Sequence, residues 1–141
     1  MNNEQIKLVQ ASFEQVKPIA DKAAEIFYAR LFEVAPHTRH LFKGDIKKQG
    51  SMLMSTLGLA VGSLNDLEKI IPAVRSLGQR HAGYGVRFEH FAIVGEAFLW
   101  TLEQAFGSAF TPELKEAWTE AYMTLAGVMQ EAMQEMAELA L

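Results

Sequence analysis

Cysteine is absent from the 141-residue chain, which removes disulfides, thiolate metal sites, iron–sulfur ligation and any thioether-linked cofactor. Proline occurs 4 times and charged residues make up 21% against 50% hydrophobic, a balance that excludes a disordered chain. No stretch approaches the roughly 18 uninterrupted apolar residues of a membrane span, and the start MNNEQIKLVQASFE has no apolar leader segment, so a cytoplasmic protein without a membrane span is expected. Lys and Arg number 13 against 17 Asp and Glu, a net charge of -4, and no basic stripe interleaves with aromatics, so nucleic acid is not an expected partner. Strand signals are missing too: there is no convincing period-two alternation and no Asn-Gly or Asp-Gly hairpin turn. The common catalytic signatures are equally absent, including G-x-S-x-G, the P-loop, the dinucleotide fingerprint, H-E-x-x-H and the EF-hand loop.

What remains is helical periodicity along the whole chain, which predicts an all-α fold in a single domain, residues 1–141, of six to eight helices. Ile6, Val9, Phe13 and Val16 share one face of a first helix that Pro18 ends or kinks, and Ile19, Ala23, Phe27 and Leu31 mark a second. A short segment from Pro36 to Phe42 leads through a polar KGD loop into a longer helix, about Lys47 to Leu64, that turns Leu53, Leu57, Ala60 and Leu64 inward. Pro72 is placed to open the next helix, whose Val74, Leu77 and His81 lie three and four apart before Gly83-Tyr84-Gly85 stops it. Phe91, Val94, Phe98, Leu102 and Phe106 line a further helix that ends at Gly107. Thr111-Pro112 caps and opens the last, with Trp118, Tyr122, Leu125, Met129 and Met136 on its buried side.

Four histidines are present, and their spacing makes no all-protein zinc site. His37, His40 and His90 fall in connecting or first-turn positions and are expected at the surface, whereas His81, in SLGQRHAGYGV, points into an apolar helix face. A lone histidine there is more often a hydrogen-bonded core residue than a ligand. Other polar groups near the core shift that balance: Tyr28 in EIFYARLF, and Gln49 one turn before Leu53, with Phe42 closing the short segment. Met129, Met133 and Met136 read as core filler. Gly50, inside a helix where glycine costs about 0.5 to 1 kcal/mol, implies a close helix crossing.

In this order FYARLF, Phe42, Gln49 to Leu53, LGQRHAGYGV, HFAIVG and AWTEAY resemble the globin family over essentially the whole chain. The nearest patterns are single-domain bacterial globins, the globin half of flavohaemoglobins and neuroglobin-like bacterial globins. The resemblance implies a globin fold around haem b, the non-covalent iron protoporphyrin IX, with His81 as the metal ligand and Tyr28 and Gln49 as the distal polar pair. It also implies that Phe42 packs on the porphyrin, that Leu53 and Phe98 wall the ligand pocket and that Leu77 and Val86 touch the proximal face. Gly50 is implied to meet Ala24 where two helices cross.

The implied activity is reversible, high-affinity binding of dioxygen for storage, transport, delivery or sensing, with nitric oxide and carbon monoxide as further diatomic ligands. One histidine leaves the far axial position open, and phenol and amide donors favour dioxygen over carbon monoxide. An enzymatic alternative is a nitric oxide dioxygenase that detoxifies nitric oxide. A third reading is a haem-free helical interaction module with His81 as a core residue. The chain departs from the family pattern where a proximal tyrosine and glutamate are usual, since Phe91 and Met133 stand there, favouring plain binding over peroxidase-like chemistry. The chain is expected to close with its last globin helix and to carry no flavin or nicotinamide site, so that turnover would need a separate reductase. A monomer or weak homodimer is expected.

Overall fold

The computed structural model describes residues 1–42 and 44–139. Lys43 of the expected KGD loop and residues 140 and 141 of the expected domain lie outside the described residues. Six α-helices and four short 3-10 turns make up the fold, and no strand occurs among the described residues.

The first helix, α1 (Asn3–Val16), begins at a reciprocal cap: Gln5 N–H donates to Asn2 Oδ1 at 2.8 Å and Asn2 N–H to Gln5 Oε1 at 3.1 Å. Pro18 turns the chain through a 3-10 segment, Lys17–Ile19, into α2 (Ala20–Val34). Ile19 is therefore not part of the second helix's inner face, as its expected spacing implied, but sits exposed on the turn. A 3-10 segment, Pro36–Leu41, leads to α3 (Ile46–Gly62), where Asp45 Oδ1 accepts from Lys47 N–H at 2.9 Å. After a third 3-10 turn, Leu64–Asp66, α4 (Leu67–Gly83) starts five residues before Pro72. Pro72 thus lies inside the helix rather than opening it. The ring denies Glu68 its usual N–H donor, and both residues are exposed, so water can serve that carbonyl instead.

The remaining chain forms α5 (Phe88–Phe106) and, after a 3-10 turn at Gly107–Ala109, α6 (Pro112–Leu139), whose Leu114 N–H is capped by Thr111 Oγ1 at 3.2 Å. The buried side of α6 runs through Leu114, Ala117, Trp118, Ala121, Ala126, Ala132 and Met133. Met136, expected inward, is exposed: the face of the helix drifts, and position 133 rather than 136 meets the core.

A closed core joins α1, α5 and α6 through Val9, Phe13, Val16, Leu102, Ala117 and Trp118. A polar contact inside it is satisfied in series: Trp118 Nε1–H donates to Ser12 Oγ at 2.9 Å, and Ser12 donates to Val9 O at 3.0 Å. Two glycines permit the crossings that shape the other half of the molecule. A Cβ on Gly50 of α3 would lie 2.9 Å from Ala24 Cβ of α2, and one on Gly78 of α4 would lie 2.6 Å from the Met129 carbonyl oxygen of α6. The expected Gly50 to Ala24 contact is therefore present. Gly58 of α3 also packs, its Cβ position lying 3.4 Å from the Phe13 ring, whereas Gly62, four residues on, has no described atom within 4 Å of its Cβ position. No helix of the described residues is long and apolar enough to cross a membrane.

Candidate functional site

The crossing of α2 and α3 at Gly50 sets Tyr28 beside the start of α3, with Tyr28 Cε2 3.8 Å from the Gly50 Cβ position. Tyr28 is 5% exposed and packs in one cluster with Phe27, Leu31 and Ala97, against which Phe42, Ile46, Leu53, Val94 and Phe98 also rest. Phe42 meets the Tyr28 ring edge-on at 5.2 Å, and Phe32 stacks on it at 5.9 Å. The structure thus brings Tyr28, Phe42, Leu53 and Phe98 together. The Tyr28 hydroxyl makes no hydrogen bond among the described residues, and it is not a sealed, unsatisfied atom either. Burial pushes its pKa up to about 12, so it remains a proton donor over the physiological range. Gln49 is half-buried on the first turn of α3, directly before Gly50, and its amide also bonds no described residue.

His81 lies in the last turn of α4, half-buried, because Val74, Leu77 and His81 follow one helix face. Its Nδ1 bonds to the Leu77 carbonyl at 2.7 Å, which makes Nδ1 the protonated nitrogen and leaves the Nε2 lone pair free of any described partner. Burial lowers the imidazole pKa below its ordinary value, the Leu77 bond opposes that shift, and the neighbouring Arg80 charge adds to it. A neutral imidazole with a fixed tautomer and an available Nε2 is the donor that a haem iron takes. Val86 joins a second apolar cluster built on Phe91, Ala126 and Met133, with Ala82, Tyr122 and Met129 against it. Phe91 and Met133 thus surround the His81 end of α4 with apolar surface, and no carboxylate is among the groups that perturb the imidazole.

The inner apolar faces here, Phe42, Leu53, Leu57, Leu77, Val86, Val94 and Phe98, are half-buried, unlike the closed core at the other end. That apolar surface, one imidazole donor and two unengaged polar donors fit a flat, largely apolar metal macrocycle. No group of three or more His, Asp or Glu that could hold a bare metal ion occurs among the described residues.

Two residues depart from, or add to, the sequence expectations. His90 is buried rather than at the surface: its Nδ1 accepts from Arg87 N–H at 2.9 Å, closing the first turn of α5, and its ring stands 6.2 Å from that of His37. The sequence pattern marks Tyr122 only as a core residue. Its hydroxyl donates to the Phe91 carbonyl at 2.5 Å, and its ring closes over Gly95, where a Cβ would lie 2.6 Å away. The Gly95 spacing ahead of a helix-facing tyrosine was the available signal, but it acquires meaning only once α5 and α6 cross.

Comparisons with known proteins bear on the fold and the family. A flavohemoprotein of Bacillus subtilis is 27% identical over 129 residues, which cover 89% of this chain and 32% of that protein. The chain spans about a third of the length of the curated flavohemoproteins it matches. Among solved structures, an engineered carbene transferase, a candidate nitric oxide dioxygenase from Rhodothermus marinus, has a TM-score of 0.89 at 28% identity and covers 100% of this chain and 99% of its own. A bacterial globin of Campylobacter jejuni, at 20% identity, shares the fold with a TM-score of 0.87 and covers 97% of this chain and 99% of its own. The family model for globins matches residues 25–129, which include Tyr28, Gln49 and His81, and the chain belongs to the globin family.

Proposed function

We propose that this globin holds haem b through His81 Nε2 and binds dioxygen reversibly and tightly beside Tyr28 and Gln49. The observation that carries the reading is the fixed His81 tautomer, with Nδ1–H given to Leu77 and Nε2 left to a metal. Bound ferrous haem would supply an iron that takes a diatomic gas. The chain's own residues then act by position. Leu53 and Phe98 keep water out, Phe42 and Val86 cover the macrocycle, and the Tyr28 hydroxyl and Gln49 amide donate hydrogen bonds to the partly negative ligand. Dioxygen gains from those donors far more than carbon monoxide does.

The test is uptake of haemin by the purified chain and its absorption spectrum. A Soret band near about 400 nm that is lost or shifted when His81 is replaced by a non-coordinating residue supports the reading. A chain that takes up no haemin, or whose spectrum ignores that replacement, overturns it and favours a haem-free helical module.

The likeness to flavohemoproteins and to the Rhodothermus marinus protein favours a second use of the same pocket, nitric oxide dioxygenation. Each nitric oxide then combines with one dioxygen and one electron to give nitrate. Mixing the reduced, oxygenated protein with nitric oxide distinguishes the two: nitrate over many cycles with a reductant present marks the dioxygenase.

A further inference from the structure

The charges of this chain are segregated. Residues 36–48 and 79–90 carry six cations, Arg39, Lys43, Lys47, Lys48, Arg80 and Arg87, against Asp45 and Glu89, a formal +4 in a chain of net charge -4, so the remainder carries -8. Those two segments meet in space. Leu41 reaches to 3.7 Å from the Gly85 Cβ position, and the His37 and His90 rings stand 6.2 Å apart. They border the candidate site: the Arg39 guanidinium lies 5.2 Å from the Phe32 ring and donates to the Phe42 carbonyl at 3.0 Å, next to the Tyr28 cluster. Arg80 directly precedes His81.

Arg39, Lys47, Lys48, Arg80 and Arg87 are all exposed, and none has a carboxylate within ion-pair distance among the described residues. The ion pairs that do occur, Lys17 with Glu14, Lys22 with Glu25, Arg30 with Glu33 and Arg75 with Glu135, all lie outside the two segments. Two aromatics here are exposed, Tyr84, which lies between Arg80 and Arg87 in the chain, and Phe88, which follows Arg87, at 57% and 47% exposure. The Tyr84 ring is 5.9 Å from the His81 ring, so one side chain connects solvent to the metal ligand.

We propose that this rim, which includes Tyr84, is the docking face for a one-electron donor protein that presents an acidic surface around its own redox centre, as ferredoxins and flavodoxins do. The proposal rests on the haem reading above. One electron leaves the donor's reduced centre and arrives at ferric haem iron, which becomes ferrous; the donor is oxidised and no bond in either protein changes. Opposite charge at the rim speeds encounter, while the net -8 of the rest of the chain disfavours association of an acidic partner there. A larger polyanion such as a membrane or nucleic acid would extend past the rim and meet that repulsion.

The experiment uses the haemin-loaded chain, an acidic plant-type [2Fe–2S] ferredoxin kept reduced, and stopped-flow absorbance of iron reduction, with calorimetric Kd as a second readout. Wild type should lose at least tenfold in second-order rate between about 0.02 and 0.5 M salt. The triple variant Lys48→Glu, Arg80→Glu, Arg87→Glu should be at least tenfold slower at low salt and bind correspondingly more weakly. The variant Lys7→Glu, Lys69→Glu, Lys115→Glu, with the same net charge, should stay within a few-fold of wild type, and dithionite should reduce all three alike. Should the triple variant fail to fold, the salt series on wild type and Arg87→Gln alone decide the matter. Equal slowing in both triple variants, or a rate flat in salt, overturns the proposal. So does rim-dependent, salt-sensitive sedimentation with phosphatidylglycerol vesicles alongside an unchanged ferredoxin rate. A missing Soret band overturns the haem reading and this proposal together, before ferredoxin is added.

Discussion

At Tyr28 the difference between a core tyrosine and a ligand donor is one hydrogen bond. A buried phenol ordinarily finds a protein partner, as Tyr122 does with the Phe91 carbonyl, and Tyr28 has none among the described residues. A bond to a charged acceptor contributes about 1.5 to 3 kcal/mol, which slows release about 10 to 150-fold. Tyr28→Phe should therefore raise the oxygen dissociation rate at least tenfold and leave carbon monoxide release nearly unchanged, measured by ligand-replacement stopped flow; an unaltered oxygen rate would remove Tyr28 from the role. The raised pKa gives a second consequence. Because the folded-state values of Tyr28 and Tyr122 are both lifted above the ordinary value, their contribution to stability is present below about pH 10 and is lost as pH climbs beyond it, where the unfolded chain gives up its protons first. Urea midpoints should fall across that alkaline range, and Tyr28→Phe should flatten part of the fall.

Among the helices, α4 is held differently from the others. It packs chiefly on α6, and Gly78 is its only buried residue, pressed on the Met129 backbone. Gly78→Ala would drive a Cβ against main chain that cannot rotate away, whereas at Gly50 the neighbour is the Ala24 methyl group on a helix that can shift. Gly78→Ala should accordingly cost at least about 3 kcal/mol and Gly50→Ala about 1 to 3 kcal/mol, compared by urea unfolding. Equal costs would show that the α4 and α6 crossing is looser than described. Glycine in a helix was legible as a crossing signal, yet which partner it met was not, since helix pairing depends on chain reversal between elements and not on local spacing. The same reason explains Pro72: a proline is compatible with opening a helix at Pro72 or with lying in its exposed second turn, and only the packing of Leu67 onto the body extends α4 backwards.

Across the whole molecule, one end is closed around Trp118 while the other presents half-buried apolar faces around His81. A ligand that binds only the folded chain adds stability by mass action and should do so where the apolar surface is least covered. Haemin should raise the unfolding midpoint and, in hydrogen exchange, slow the amides of α4 more than those of α1; uniform slowing would argue against a site on α4.

The sequence alone determined the helical class, nearly all the helix ends, and the inward turn of His81 and Phe98, because periodicity, caps and breakers act within a few residues of chain. It also carried the family pattern, borne out by the globin match. Tertiary structure decided what spacing cannot encode: that His90 is buried by capping its own helix, that Met133 and not Met136 meets the core, and that Tyr122 spends its hydroxyl on Phe91. It decided as well that cations distant in sequence meet at one rim, since charge along a chain becomes a field only when the chain is folded.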